Sequence, residues 1–170
     1  TALAGDLHRL LGLVRMLAKA DSLDALATHL KSNLNERLKA ERTWIAWRLD
    51  NQCDMALYPP ASAEETGNAP FGTMLDACAT AEGIAVPAQG KNDHVIAAPL
   101  IHGGQCIGAI AANRPEPRQS FAVSDLEYLV AAAECCAPII RAAERLEQMQ
   151  RDAQEKISSP VDTTDTLANS

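Results

Sequence analysis

The chain has 170 residues, 47% of them hydrophobic but only 4% aromatic, and a formal charge of −7. That suits one domain whose core is built from Leu, Ala, Ile and Val, and the lack of a basic stripe argues against a nucleic-acid groove. The longest weakly charged run, residues 130–140, is too short to span a membrane and contains Glu134, so no direct membrane contact is expected.

Leu3, Leu7, Leu10, Val14 and Leu17 keep heptad spacing and predict a first helix with a seam for a partner, which Leu11 and Leu13 widen. Asp21-Ser22 offers an N-cap for a second helix carrying Leu23, Leu26, Leu30, Leu34 and Leu38. The period then changes. Residues 41–49 read as a strand, Asp50-Asn51 as a turn, and 52–58 as a second strand stopped by Pro59-Pro60. Residues 61–69 read as a polar loop, and Phe71, Met74, Leu75 and Cys78 as a short amphipathic helix that Gly83 can end. A brief strand follows at 84–87, then a loop at 88–93.

Residues 94–101 and 105–112 predict a hairpin around Gly103-Gly104, with a bulge or an unpaired position at Pro99. After a loop at 113–121, Ser124 and Glu127 make a capping box for a last helix, which Pro138 should bend. Beyond it Ile139, Ala142, Leu146, Met149 and Ala153 resume the heptad spacing, and from Ser158 the chain reads as a solvated linker. The order predicts an α+β sandwich around one antiparallel sheet.

RTWIAWRLDNQ, FGTMLDACATAEGIAVP, HVIAAPLIHGGQCIGAIAANR and SFAVSDLEYLVAAAECCAPIIRAAERL, in that order, resemble a GAF domain over roughly residues 5–150. The resemblance implies a GAF-like (PAS-like) sheet with the terminal helices on one face and the short helix plus loops on the other. The domain then covers 1–157, and 158–170 is a flexible tail. It further implies a cytoplasmic, bacterial-type regulatory module that binds a small molecule and dimerises through its terminal helices. Such a module passes a signal to an output domain in the same chain. The start at Thr1 rather than Met leads us to expect an excised piece of a longer protein.

On this reading Trp47, Phe71, Met74, Cys78 and His94 face the ligand. Short loops predict a small cavity. Leu3, Leu7, Leu10, Val14, Leu17, Ile139, Leu146 and Met149 form the dimer and signalling helices. Trp44 and Trp47 fall on opposite faces of their strand by alternation.

Some GAF domains that bind cyclic nucleotides carry N-K…F-x-x-x-D-E. Here Asn113-Arg114, Phe121 and Asp125-Leu126 stand instead, so Arg114, Phe121 and Asp125 read as a structural clamp. Free methionine sulfoxide reductases, also GAF proteins, use cysteines in a loop whose counterpart here, AQGKND, has none. His8, His29, His94 and His102 form no ligand set, so no metal, cofactor or catalytic residue is expected. Cys53, Cys78, Cys106, Cys135 and Cys136 are odd in number with no CxxC pair, which fits a reducing cytoplasm better than a disulfide framework. Cys135 and Cys136 read as core thiols. Two alternatives stand beside the sensor: a ligand-free spacer in a secretion or efflux membrane-fusion adaptor, and a small redox enzyme using Cys78.

Overall fold

The computed structural model describes residues 2–48, 55–60, 62–88, 93–116 and 118–158. α1 (Ala2–Ala18) and α2 (Leu23–Leu38) lie where the apolar periodicity puts them. The Ser22 hydroxyl accepts from the Ala25 amide at 3.1 Å and so satisfies one of the orphan donors at the start of α2. Leu23, Leu26, Leu30, Leu34 and Leu38 are all buried on one stripe of that helix.

β1 (Arg42–Trp47), β2 (Ala56–Leu57), β3 (Ile84–Val86), β4 (His94–His102) and β5 (Gln105–Arg114) form one antiparallel sheet in the order β2-β1-β5-β4-β3. The long hairpin therefore supplies the central strand. Its corner has Gly103 at φ 61° and Gly104 at φ 77°, the mirror-image turn whose twist matches the flanking strands. Gly108 is required for a different reason. A Cβ there would stand 2.1 Å from the Ala46 carbonyl oxygen and 2.6 Å from Trp47 Cα, so β1 and β5 approach too closely for any side chain.

Several local expectations need correcting. Pro99 is paired with Ala109, and the register shifts one residue later, between Leu100 and Ile101. β3 reaches only as far as Ala97, so Pro99 lies where one flank of β4 has no neighbour. The segment read as a polar loop contains a short helix, α3 (Ala63–Asn68), whose Ser62 hydroxyl accepts from the Glu65 amide at 3.2 Å. Ser62-x-x-Glu65 is a start signal that the polar composition concealed.

α4 (Phe71–Thr80) closes at Ala81, in the left-handed region at φ 56°, before Gly83 is reached. Gly83 serves close packing instead, since a Cβ there would fall 2.7 Å from Val130 Cγ2. Of the second strand only Ala56–Leu57 is seen, and the Asp50-Asn51 turn lies outside the described residues, as does the tail from 159.

α5 (Val123–Ser158) starts ahead of the expected Ser124 cap. The Ala122 amide donates to Asp125 Oδ2 at 2.7 Å, so the carboxylate three residues on does the capping and Ser124 lies within the helix. α5 continues through Pro138 without interruption.

α2 and α5 cover one face of the sheet, where Ile45, Trp47, Ile96, Leu100 and Ile110 lie, and α1 packs on α2 and α5. α4 covers the other through Met74 and Ala77, against Trp44, Ala46, Ala97, Ala109 and Ala111. α1 runs alongside α5, and the described side chains from Gln148 to Ile157 are all exposed.

Candidate functional site

β1 and β5 place Arg42 opposite Asn113, and β4 begins beside them, so the strand ends gather polar groups at one corner of the sheet. Asn113 is buried there and organises the corner. Its Oδ1 accepts from the Arg42 amide at 2.9 Å, its Nδ2 donates to Asp93 Oδ2 at 2.7 Å, and its carbonyl accepts from the Glu41 amide at 2.9 Å.

Above this corner α3 ends and α4 begins. Between them and the sheet runs an open groove of about 730 Å³, lined by Trp44, Phe71, Val86 and Val95 with the charges of Glu41, Arg42 and Asp93. Its far wall is the first turn of α4, Phe71 to Thr73. The groove is larger than the short loops led us to expect, because it is an open trough between helix and sheet rather than an enclosed cavity.

Of the residues expected to face a ligand, only Phe71 lines this groove. Trp47 is fully buried on the opposite, helix-covered face, stacked on Tyr58 with ring centroids 3.9 Å apart. Trp44 takes the place assigned to it, as alternation allows. Bulky Ile45, Ile96 and Ile110 share the face of Trp47, whereas Ala97, Ala109 and Ala111 share that of Trp44 and no buried isoleucine of β1, β4 or β5 does. That contrast in side-chain size was the available signal.

Met74 is fully buried against the alanines, beneath α4 rather than in the groove. His94 alternates onto the side of Ile96, and its Nδ1 accepts from the Ala88 amide at 3.0 Å. Cys78 is not a free thiol. It is bonded to Cys106, with 5.6 Å between their Cα atoms. Nothing in their spacing announces the pair, because the docking of α4 on β5 creates it.

A second cluster lies at the helix ends. Arg114 packs over the Phe121 ring at 4.3 Å, its Nη2 is 3.6 Å from Asp125 Oδ2, and its Nε donates to the Leu38 carbonyl at 3.1 Å. The clamp residues thus meet, holding residues 119–121 to the end of α2 and the start of α5. Sequence reasoning missed Arg37. Its Nε and Nη2 donate to the two oxygens of Asp6 at 2.6 and 2.9 Å, and its Nη1 donates to Asp125 Oδ1 at 3.0 Å. One guanidinium therefore ties α1, α2 and α5 together. Hydrogen bonds from Arg37 hold the Asp6 carboxyl below its ordinary range. Burial pushes the nearby Tyr128 hydroxyl up to about 12.

The expected dimer seam is divided. Leu17 is buried and Leu10 half-buried within the chain's own helix layer, Val14 and Ile139 are half-buried, and Leu7, Leu146 and Met149 are exposed. Leu3 has no described side chain. Leu11 and Met16 add to the exposed apolar surface of α1. Among the described residues, no helix is long and apolar enough to cross a membrane, and no three of His, Cys, Asp and Glu gather as a metal site would need.

No protein-family model and no curated protein matches the chain. Solved structures do. It resembles the GAF domain of a phosphoenolpyruvate-protein phosphotransferase from Coxiella burnetii, with TM-score 0.68 and 18% identity over 87% of this chain and 99% of that one. It resembles the GAF domain of a putative sensor histidine kinase from Pseudomonas syringae pv. tomato, with TM-score 0.68 and 13% identity over 89% and 95%. A third likeness is to free methionine-R-sulfoxide reductase from Neisseria meningitidis, with TM-score 0.62 and 20% identity over 86% and 94%. At these identities the likeness establishes the fold: the chain has the fold of a GAF domain.

Proposed function

With a GAF fold as the premise, we propose that the chain is a regulatory module that binds a small organic molecule in the groove beside α4. The observation carrying this reading is the groove itself, where Trp44 and Phe71 stand near Arg42, Glu41 and Asp93. Aromatic walls favour a ligand with a flat or apolar part, and charges of both signs favour one that is polar or zwitterionic. The names of the neighbours, a phosphotransferase and a sensor kinase, support a regulatory role. The module binds rather than catalyses, acts in the cytoplasm of a bacterium, and carries no cofactor.

In the same proposal two copies pair through α1 and α5, using Leu7, Leu11, Leu146 and Met149, which the monomer leaves exposed. Ligand in the groove shifts α4 against the sheet, and the sheet shifts α5. A difference of a few kcal/mol in affinity between two helix arrangements is enough to bias an attached output domain. The spacer reading has one observation in its favour: among the described residues, Met74 and Ala77 fill the alanine face under α4.

Native mass spectrometry of the chain, with a denatured control, tests these readings. A dimer with extra mass that is lost on denaturation supports the sensor, and a clean dimer supports the spacer. A monomer overturns the helix pairing. Leu7→Glu with Leu146→Glu should abolish the dimer while the sheet stays folded.

A further inference from the structure

The Cys78–Cys106 bond joins the last turns of α4 to the start of β5, and it lies on the groove's side of the sheet. Both residues are half-buried, so small reagents reach them. The two sulfurs lie 3.1 and 3.2 Å from the Gly108 carbonyl oxygen. That oxygen belongs to a strand fixed by the close approach of β1. If the bond opened, each thiol would have this acceptor within reach, so the reduced pair fits the same place without an orphaned donor.

Apart from the bond, α4 is held to the sheet mainly by Met74 and Ala77, with Phe71 half-buried and Leu75 exposed. Cys135 and Cys136 are not bonded to each other, and Cys136 differs in burial as well. They are free thiols on α5, Cys136 is fully buried, and burial pushes its thiol up to about 12. Such a thiol supplies almost no thiolate for exchange.

We propose that Cys78–Cys106 is a reversible redox modification site, oxidised by peroxide and reduced by small thiols, whose state sets how firmly α4 walls the groove. In oxidation one protein thiolate attacks a peroxide oxygen and becomes a sulfenic acid, releasing hydroxide as the O–O bond breaks. The second thiolate then displaces hydroxide from that sulfur. Two thiols and one hydrogen peroxide become one disulfide and two waters. In reduction a glutathione thiolate attacks one sulfur to give a mixed disulfide, and a second glutathione resolves it. Two glutathiones leave as their disulfide, and two protein thiols remain.

The test uses the intact chain, equilibrated in glutathione buffers of graded thiol-to-disulfide ratio and then trapped with maleimide for mass counting. Hydrogen exchange is followed in parallel. Two alkylations should appear together at an intermediate ratio, and peroxide should remove both. Reduction should speed exchange across α4 at least about tenfold while α2 and β1 stay unchanged. Cys78→Ala should show the α4 exchange of the reduced chain in every buffer, and in Cys135→Ser the Cys78–Cys106 pair should respond as in the natural sequence. The proposal fails if the bond persists in excess reduced glutathione, or if peroxide cannot re-form it. It also fails if the bond opens and exchange in α4 does not change. The thiol count is independent of whether the groove takes a ligand, so this result and the groove reading stand or fall separately.

Discussion

On one face of the sheet, Ile45, Trp47, Ile96, Leu100 and Ile110 pack with the leucines of α2 and with α5, which α1 backs in turn. On the other, Ala46, Ala97, Ala109 and Ala111 present single methyl groups to one helix of ten residues. Branched side chains on both sides of an interface bury much apolar area and fix its geometry. Alanines let a helix sit close but bury little per residue, so α4 gains close approach without comparable strength. The difference assigns stability to the first face. It leaves the second, where the groove and the Cys78–Cys106 bond both lie, with less apolar area holding its helix.

The sharpest way to break this contrast is to truncate one large side chain on each face. Leu30→Ala, in the leucine stripe, should lower the unfolding free energy by about 3 to 5 kcal/mol in urea titrations, with every spectroscopic probe moving together. Met74→Ala should cost less, about 2 to 3 kcal/mol, because the groove beside α4 lets the site relax. Its exchange protection should fall in α4 before it falls in the sheet. Equal losses, or a uniform fall in protection, would remove the distinction between the faces.

Asp6→Asn tests how the helix layer is pinned and should cost about 1 to 2 kcal/mol at neutral pH, discounted for partial exposure. The Asp6 carboxyl is held below its unfolded value, chiefly by hydrogen bonds from Arg37. Its contribution is therefore complete above about pH 4 and is lost as the pH falls through the folded value. Urea midpoints of the natural chain and the Asp6→Asn variant should converge in acid. The smallest effect belongs to Ser62→Ala, which removes the cap of exposed α3. It should cost about 0.5 to 1 kcal/mol locally, seen as faster exchange at residues 63–68 with the global midpoint unchanged.

The helices other than α3, and the hairpin, were legible in the sequence because their signals are local. Leucines three or four apart, the Ser22 cap and the Gly103-Gly104 corner each decide their own neighbourhood. The candidate site was less legible because it is assembled from strand ends far apart in the chain. Asn113 acquires meaning only when β1 and β4 bring the Arg42 amide and Asp93 to it. Arg37 carries no local signal of its role, which exists only because the fold brings Asp6 and Asp125 to it. Trp44 and Trp47 were correctly placed on opposite faces, but choosing between the faces required weighing the alanines of the hairpin against its isoleucines. Cys78 and Cys106 are 28 residues apart, and only the seat of α4 on β5 joins them.

The end of α5 has a further consequence. From Gln148 to Ile157 every described side chain is exposed, and a helix of about ten residues with no buried face is marginal in water. Its persistence depends on what lies against it. A surface that sheaths this stretch adds about 15 Å of rigid rod, at 1.5 Å per residue, and withdrawing that surface removes the rod. In the proposed pairing, reach is then a quantity distinct from the angle of the helices, and far-ultraviolet circular dichroism measured across protein concentration would read it directly.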